Sequence, residues 1–126
     1  MRKPVRVKPG PDGMNRLERA YCRHLEMRRL AGEIIGWRFE AITFRMAFRQ
    51  TYTPDFEVTK PDGTLEYHEV KGRWMEDARV KLKQVATDFS DRRFIAVTYP
   101  KKIWTFEALP PKRGPAPGRT TPERKS

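Results

Sequence analysis

The chain has 126 residues and a formal net charge of +11, long enough for one modest domain with a core and too short for two. A single cysteine, Cys22, excludes an internal disulfide framework and a cysteine-based zinc site, and two histidines, His24 and His68, are too few for a histidine cage. No apolar run approaches the roughly 20 residues that span a bilayer, and the basic start lacks the apolar stretch of a secretory signal, so the expected setting is cytoplasmic, with no membrane partner.

Charge is concentrated at the ends. Residues 1–13 hold four basic side chains and one acidic, residues 109–126 hold five and one, and the body at 14–108 keeps only +4. Both ends are rich in Pro and Gly, which predicts flexible basic arms around a folded domain at 14–108. Such arms favour a polyanion, since neutralising phosphates releases counterions. A tail that only solubilises is the alternative.

Residues 14–33 read as a helix, with Met14, Leu17, Tyr21, His24, Leu25 and Arg28 on one side and Gly32 as the stop. Residues 36–50 alternate apolar with charged side chains, which predicts one or two strands with a kink near Ala41. Two more strands flank Lys60–Thr64, where Pro61-Asp62-Gly63 has the composition of a turn. Residues 76–89 form a second amphipathic helix, with Ala78, Leu82, Val85, Ala86 and Phe89 inward. "RFIAVTY" at 93–99 reads as a central strand, and 102–106 as a short edge strand. A strand, helix, strand crossover of this length joins parallel neighbours. The expected fold is therefore α/β: a central mixed sheet flanked by helices.

The hairpin carries the chemistry. Side chains alternate along a strand, so Leu65, Tyr67, Glu69 and Lys71 share one face and Glu66, His68 and Val70 the other. If Thr59 lies opposite Leu65, Asp55 lies opposite Glu69, with Cβ atoms about 5 Å apart. A one-residue slip would separate them. Facing carboxylates repel unless a cation holds them, and Mg²⁺ is commonly held by one or two carboxylates plus substrate phosphate, with Mn²⁺ as a substitute. The backbone carbonyl of Val70 would add an oxygen. Lys71, on the same face, would orient a water nucleophile or stabilise charge developing on phosphorus. The bland alternative is a surface hairpin on which Glu69 and Lys71 merely pair.

"YTPDF", fourteen residues from Asp55 to Glu69, "EVKG", and then a helix bearing "DARVKLK" resemble the PD-(D/E)XK nuclease superfamily, and more closely a family of small phage- and prophage-encoded endonucleases. The resemblance covers residues 14–106. It implies a restriction-endonuclease-like core, Mg²⁺-dependent hydrolysis of DNA, metal ligation by Asp55 and Glu69, and assistance to the attacking water by Lys71. Many members add a Glu from the first helix, and Glu18 stands in the matching place as a further metal or catalytic residue; pairing on the helix surface is its alternative. Arg73, Arg79 and Lys83 are candidate DNA contacts, or a solvated flank. Trp74 could stack on a base but reads more simply as packing, as do Tyr21 and Tyr52; His68 points away from Glu69 and reads as structural or surface. Small size and sequence-neutral tails favour a structure- or strand-selective enzyme. A junction-cutting enzyme would need two active sites and hence a homodimer, for which the apolar stretch at Phe44–Phe48 is a candidate surface. A non-catalytic nucleic-acid-binding protein, or a subunit that cuts only within a larger complex, is the competing reading.

Overall fold

The computed structural model describes residues 13–109; the basic arms expected at the two ends lie almost wholly outside them. Helix α1 (Arg16–Leu30) starts at Asn15, whose side chain accepts the Glu18 N–H while the Glu18 carboxylate accepts the Asn15 N–H. This reciprocal capping box satisfies two N–H groups that a helix start leaves without intrahelical partners. At the other end Gly32 takes φ 78, and the N–H groups of Gly32 and Glu33 return to the carbonyls of Arg29 and Arg28. That Schellman closure needs a left-handed residue, which glycine adopts without strain.

Among the described residues seven strands follow α1, five before the second helix and two after it: β1 (Gly36–Phe39), β2 (Phe44–Arg45), β3 (Thr51–Tyr52), β4 (Phe56–Thr59), β5 (Leu65–Val70), then α2 (Glu76–Asp88), β6 (Arg93–Thr98) and β7 (Thr105–Leu109). Five form one mixed sheet in the order β1-β4-β5-β6-β7, and β2 pairs with β3 separately. Of the strand pairs among the described residues β5 and β6 alone run parallel, and α2 is the crossover between them. The α/β expectation holds at this level, as a five-stranded mixed sheet with two helices.

The stretch at 36–50 breaks where Glu40 turns to φ 47, close to the expected kink. Beyond it the chain forms the β2–β3 hairpin instead of a continued strand. The edge strand is Thr105–Leu109, later than expected, and Leu109 is buried at 2% exposure. The domain therefore includes Leu109, which composition had assigned to the tail. The Pro61-Asp62-Gly63 turn forms as expected, with Gly63 at φ 89 and Asp62 accepting the N–H and hydroxyl of Thr64.

Strand alternation divides the interior into two cores. Phe56, Val58, Val70, Ile95 and Val97 face α1 and pack with Tyr21 and Leu25. Tyr67, Phe94 and Ala96 face α2 and pack with Leu82, Val85 and Ala86. Phe44 pins the β2–β3 hairpin onto the second core, its ring 5.1 Å from Tyr67 and 4.8 Å from Phe89. Each buried ring or aliphatic side chain contributes about 1.5–3 kcal/mol. Phe44 is thus spent on the core and is not available for a dimer contact. Among the described residues, no helix is long and apolar enough to cross a membrane.

Candidate active site

Thr59 pairs with Leu65 and Phe56 with His68; carrying that register one pair further sets Asp55 opposite Glu69. Both lie on the α2 side of the sheet, because Phe56 and Val70 face α1. Asp55 is 7% and Glu69 8% exposed. The juxtaposition expected from the alternation is therefore present, and both carboxylates are buried.

Backbone chemistry holds it. One pair further still, Val70 falls opposite Pro54, which has no N–H to give. That leaves the Val70 carbonyl without a ladder donor, while the Val70 N–H donates to Asp55 Oδ2 at 2.8 Å; Asp55 Oδ1 accepts no hydrogen bond among the described residues. The backbone N–H of Asp55 in turn supports the Glu69 carboxylate. Glu69 Oε1 accepts the hydroxyl of Tyr52 at 2.7 Å, and Oε2 lies 3.4 Å from Lys71 Nζ. The lysine is half exposed, so its ammonium stands between the buried pair and solvent.

Burial raises the Asp55 carboxyl well above its ordinary range, and the charge of Glu69 raises it further. Burial likewise raises Glu69, although the Tyr52 hydroxyl and Lys71 oppose the shift. Tyr52 is raised by burial and by Glu69, so it remains a protonated donor. Two buried carboxyls with one half-exposed ammonium beside Glu69 form an under-compensated site.

Glu18 stands somewhat apart. Its Oε1 caps the α1 start at 2.9 Å from the Asn15 N–H, yet its charge is felt at Asp55 and raises it. The α1 start lies at this end of the sheet, as a Cβ on Gly72 would sit 3.9 Å from Leu17. Among the described residues no three of His, Cys, Asp and Glu converge into a protein-only metal cage. The donor set nevertheless suits a hard cation: two facing carboxylates, a free Asp55 oxygen, and the Val70 carbonyl, which meets a proline where a donor would be.

The other candidates fall in different places. Arg79 forks onto Glu107 of β7, at 2.9 and 2.8 Å, which holds its guanidinium above the usual range; it serves the sheet edge. Lys83 is close enough for its charge to lower Glu107. Arg73 is exposed, just beyond the site. His68 is 2% exposed and structural: its Nε2 lies 3.0 Å from Glu66 and its Nδ1 2.6 Å from the Tyr21 hydroxyl. Tyr52 is the residue that sequence reasoning left as packing. Its signal was weak, since nothing local says that a two-residue strand will deliver a hydroxyl to Glu69.

A cleft of about 370 Å³ opens beside Glu69, lined in part by Thr51, Tyr52, Lys71, Trp74 and Lys81. Trp74 packs against the α2 core as expected, but its buried indole N–H has no partner among the described residues. We have no physical account of that orphan donor. Comparison of the chain with family models, with curated proteins and with solved structures finds no match.

Proposed function

We propose that the protein is a metal-dependent DNA endonuclease with a restriction-endonuclease-like core of the PD-(D/E)XK type. One observation carries this reading: Asp55 and Glu69 face each other, buried, with Lys71 beside them at the solvent side. Buried like charges are costly, and binding DNA through cations alone gains nothing from them. Asp55, Glu69 and the Val70 carbonyl would hold Mg²⁺ or Mn²⁺. When bound, such an ion supplies Lewis acidity toward the scissile phosphate and a more acidic water.

The chain's own residues account for the rest. Tyr52 fixes the Glu69 rotamer through one oxygen and leaves the other facing Lys71. The Val70 N–H fixes Asp55 in the same way. Lys71 places a cation where negative charge develops during attack on phosphorus. Glu18 biases the protonation of Asp55 electrostatically and would assist through water. Arg73 and Lys83, on the exposed side, would approach the DNA backbone. Phage or prophage origin and selectivity for DNA structure or strandedness remain part of this proposal.

The test is cleavage of labelled single-stranded, duplex, flap and four-way-junction DNA with Mg²⁺, Mn²⁺ or EDTA, with Asp55→Ala and Lys71→Ala in parallel. Metal-dependent cutting that falls by about 10²–10⁴-fold in both variants supports the reading. A folded protein that binds these DNAs but never cuts would favour a binding module, or a subunit active only in a complex.

A further inference from the structure

The tip of the β2–β3 hairpin breaks a local rule. The Gln50 N–H donates to the Ala47 carbonyl at 3.2 Å, and the Met46 N–H donates to the Gln50 carbonyl at 2.7 Å. The two residues between, Phe48 (φ 59, ψ 35) and Arg49 (φ 61), both lie in the left-handed region. This is type I′ turn geometry, in which Asn-Gly relieves the steric cost. A phenylalanine held there is strained, and its side chain is 94% exposed, so no packing offsets the strain. Conflict of this kind between local preference and observed structure points to function.

The surroundings indicate what the ring meets. Arg45 and Arg49 flank it, both exposed, and neither takes a hydrogen bond or ion pair among the described residues. The hairpin's base is fixed by Phe44 in the core and by Tyr52 on Glu69; the tip stands within roughly 13 Å of chain from Tyr52. A second type I′ turn, closed by the Ile103 N–H on the Pro100 carbonyl, exposes Lys101 and Lys102. It follows β6, so it lies at the same end of the sheet as Val70. A protein partner would want a contiguous apolar patch, whereas beside Phe48 the larger apolar neighbour, Met46, packs onto the second core and the side chains left exposed are Arg45, Ala47, Arg49 and Gln50. A base needs one ring, and its phosphates need the guanidinium groups.

We propose that the β2–β3 hairpin is a nucleic-acid finger: Phe48 stacks on or wedges between bases while Arg45 and Arg49 neutralise the adjoining phosphates. The choice of DNA as partner rests on the endonuclease reading. Stacking on an unpaired base requires no disruption of a duplex, so the finger selects single-stranded, flap or branched DNA over intact duplex.

The test uses the full chain in EDTA, where no metal-dependent cutting occurs. Binding of single-stranded and flap oligonucleotides carrying 2-aminopurine is followed by anisotropy and by base fluorescence. We expect the parent to change 2-aminopurine emission at a defined position. Phe48→Ala should bind about 5- to 100-fold more weakly and lose that signal, and Phe48→Trp should restore both. Because Phe48 is exposed, Phe48→Ala should unfold at an unchanged temperature. Parent-like binding and emission by Phe48→Ala would overturn the finger, as would a folded parent that binds no DNA, or a Phe48→Ala effect on self-association alone. Phe48-dependent binding without cutting in Mg²⁺ would sink the endonuclease reading and leave the finger standing. Cutting with Phe48-independent binding would do the reverse.

Discussion

Val70 donates its backbone N–H to Asp55 Oδ2 at 2.8 Å, at the pairing position that Pro54 leaves without a donor. The proline interrupts the ladder by leaving the Val70 carbonyl without a donor, and the Val70 N–H, taken up by the side chain, orients the Asp55 carboxylate beside Glu69. The result is a pair of buried acids whose charges the protein alone does not balance.

That imbalance sets a stability signature. Burial, with help from Glu69, raises Asp55 in the folded chain, so above the ordinary carboxylate range, about pH 4, the folded state binds more protons than the unfolded one. The contribution is complete below that pH and is lost as pH rises through the raised value. In EDTA we expect the unfolding temperature to fall from pH 5 to pH 8. Asp55→Asn keeps an acceptor for Val70 and removes one charge. It should raise stability at pH 8 by on the order of 1–3 kcal/mol, several degrees in Tm, and abolish stabilisation by Mg²⁺. Thermal unfolding with and without metal decides it; a less stable Asp55→Asn in EDTA would mean that the carboxylate is already compensated.

Tyr52→Phe isolates the hydroxyl on Glu69 while preserving the ring. Without the 2.7 Å bond, Glu69 loses the largest of the influences that hold it down, so its carboxyl should rise further. On the proposed function Glu69 would hold the cation only in its ionised form, so affinity for Mn²⁺ near neutral pH should drop by about 10–100-fold, as where a residue orients a metal ligand. The pH profile of cleavage should shift upward, and titration calorimetry at two pH values measures the first effect. An unmoved profile with parental affinity would show that Tyr52 only packs.

The hairpin was legible in the sequence because its period-two pattern and its Pro-Asp-Gly turn both point to one register, and that register alone sets Asp55 opposite Glu69. Tyr52 was not legible, since β3 has two residues and its decisive contact crosses to another sheet. Arg79 was misplaced for a related reason: helical spacing puts it on an exposed flank, but only the tertiary fold brings Glu107 of β7 within reach. Leu109 looked like tail because Pro and Gly follow it, whereas pairing with Phe94 carries it into the core. Phe48 gave no signal as a tip, because an alternating pattern continues through it as though the strand did.

The Arg79–Glu107 fork makes its own claim about DNA contacts. With both carboxylate oxygens engaged, Arg79→Ala should leave DNA affinity and its salt dependence nearly unchanged, while Lys83→Ala reduces the salt slope by about 1. Glu107→Gln weakens the fork and frees the guanidinium, so it should steepen the slope by a comparable step. Binding measured over a series of salt concentrations checks all three. A shallower slope for Arg79→Ala would mean that the arginine leaves Glu107 for phosphate.

Beneath the site, Tyr21, His68 and Glu66 form a buried chain with a definable proton arrangement. The hydrogen bond from His68, with lesser help from Lys60 and Arg93, holds Glu66 down to about 2, so that carboxylate accepts. His68 Nε2 must therefore carry the proton, leaving Nδ1 to accept from the Tyr21 hydroxyl. Burial lowers the His68 value. The unfolded chain takes up a proton near pH 6.5 while the folded chain resists, so stability is lost as pH falls below that point. In an Asp55→Asn background, which reduces the opposing slope to the part that Glu69 supplies, stability should decline from pH 7 to pH 5 more than in the parent, and His68→Gln should flatten the curve. Tyr21→Phe leaves Nδ1 buried without a donor, which costs about 1–3 kcal/mol at pH 7. Denaturant titrations at half-unit pH steps measure these slopes, and a parental slope in His68→Gln would assign the pH dependence to another group.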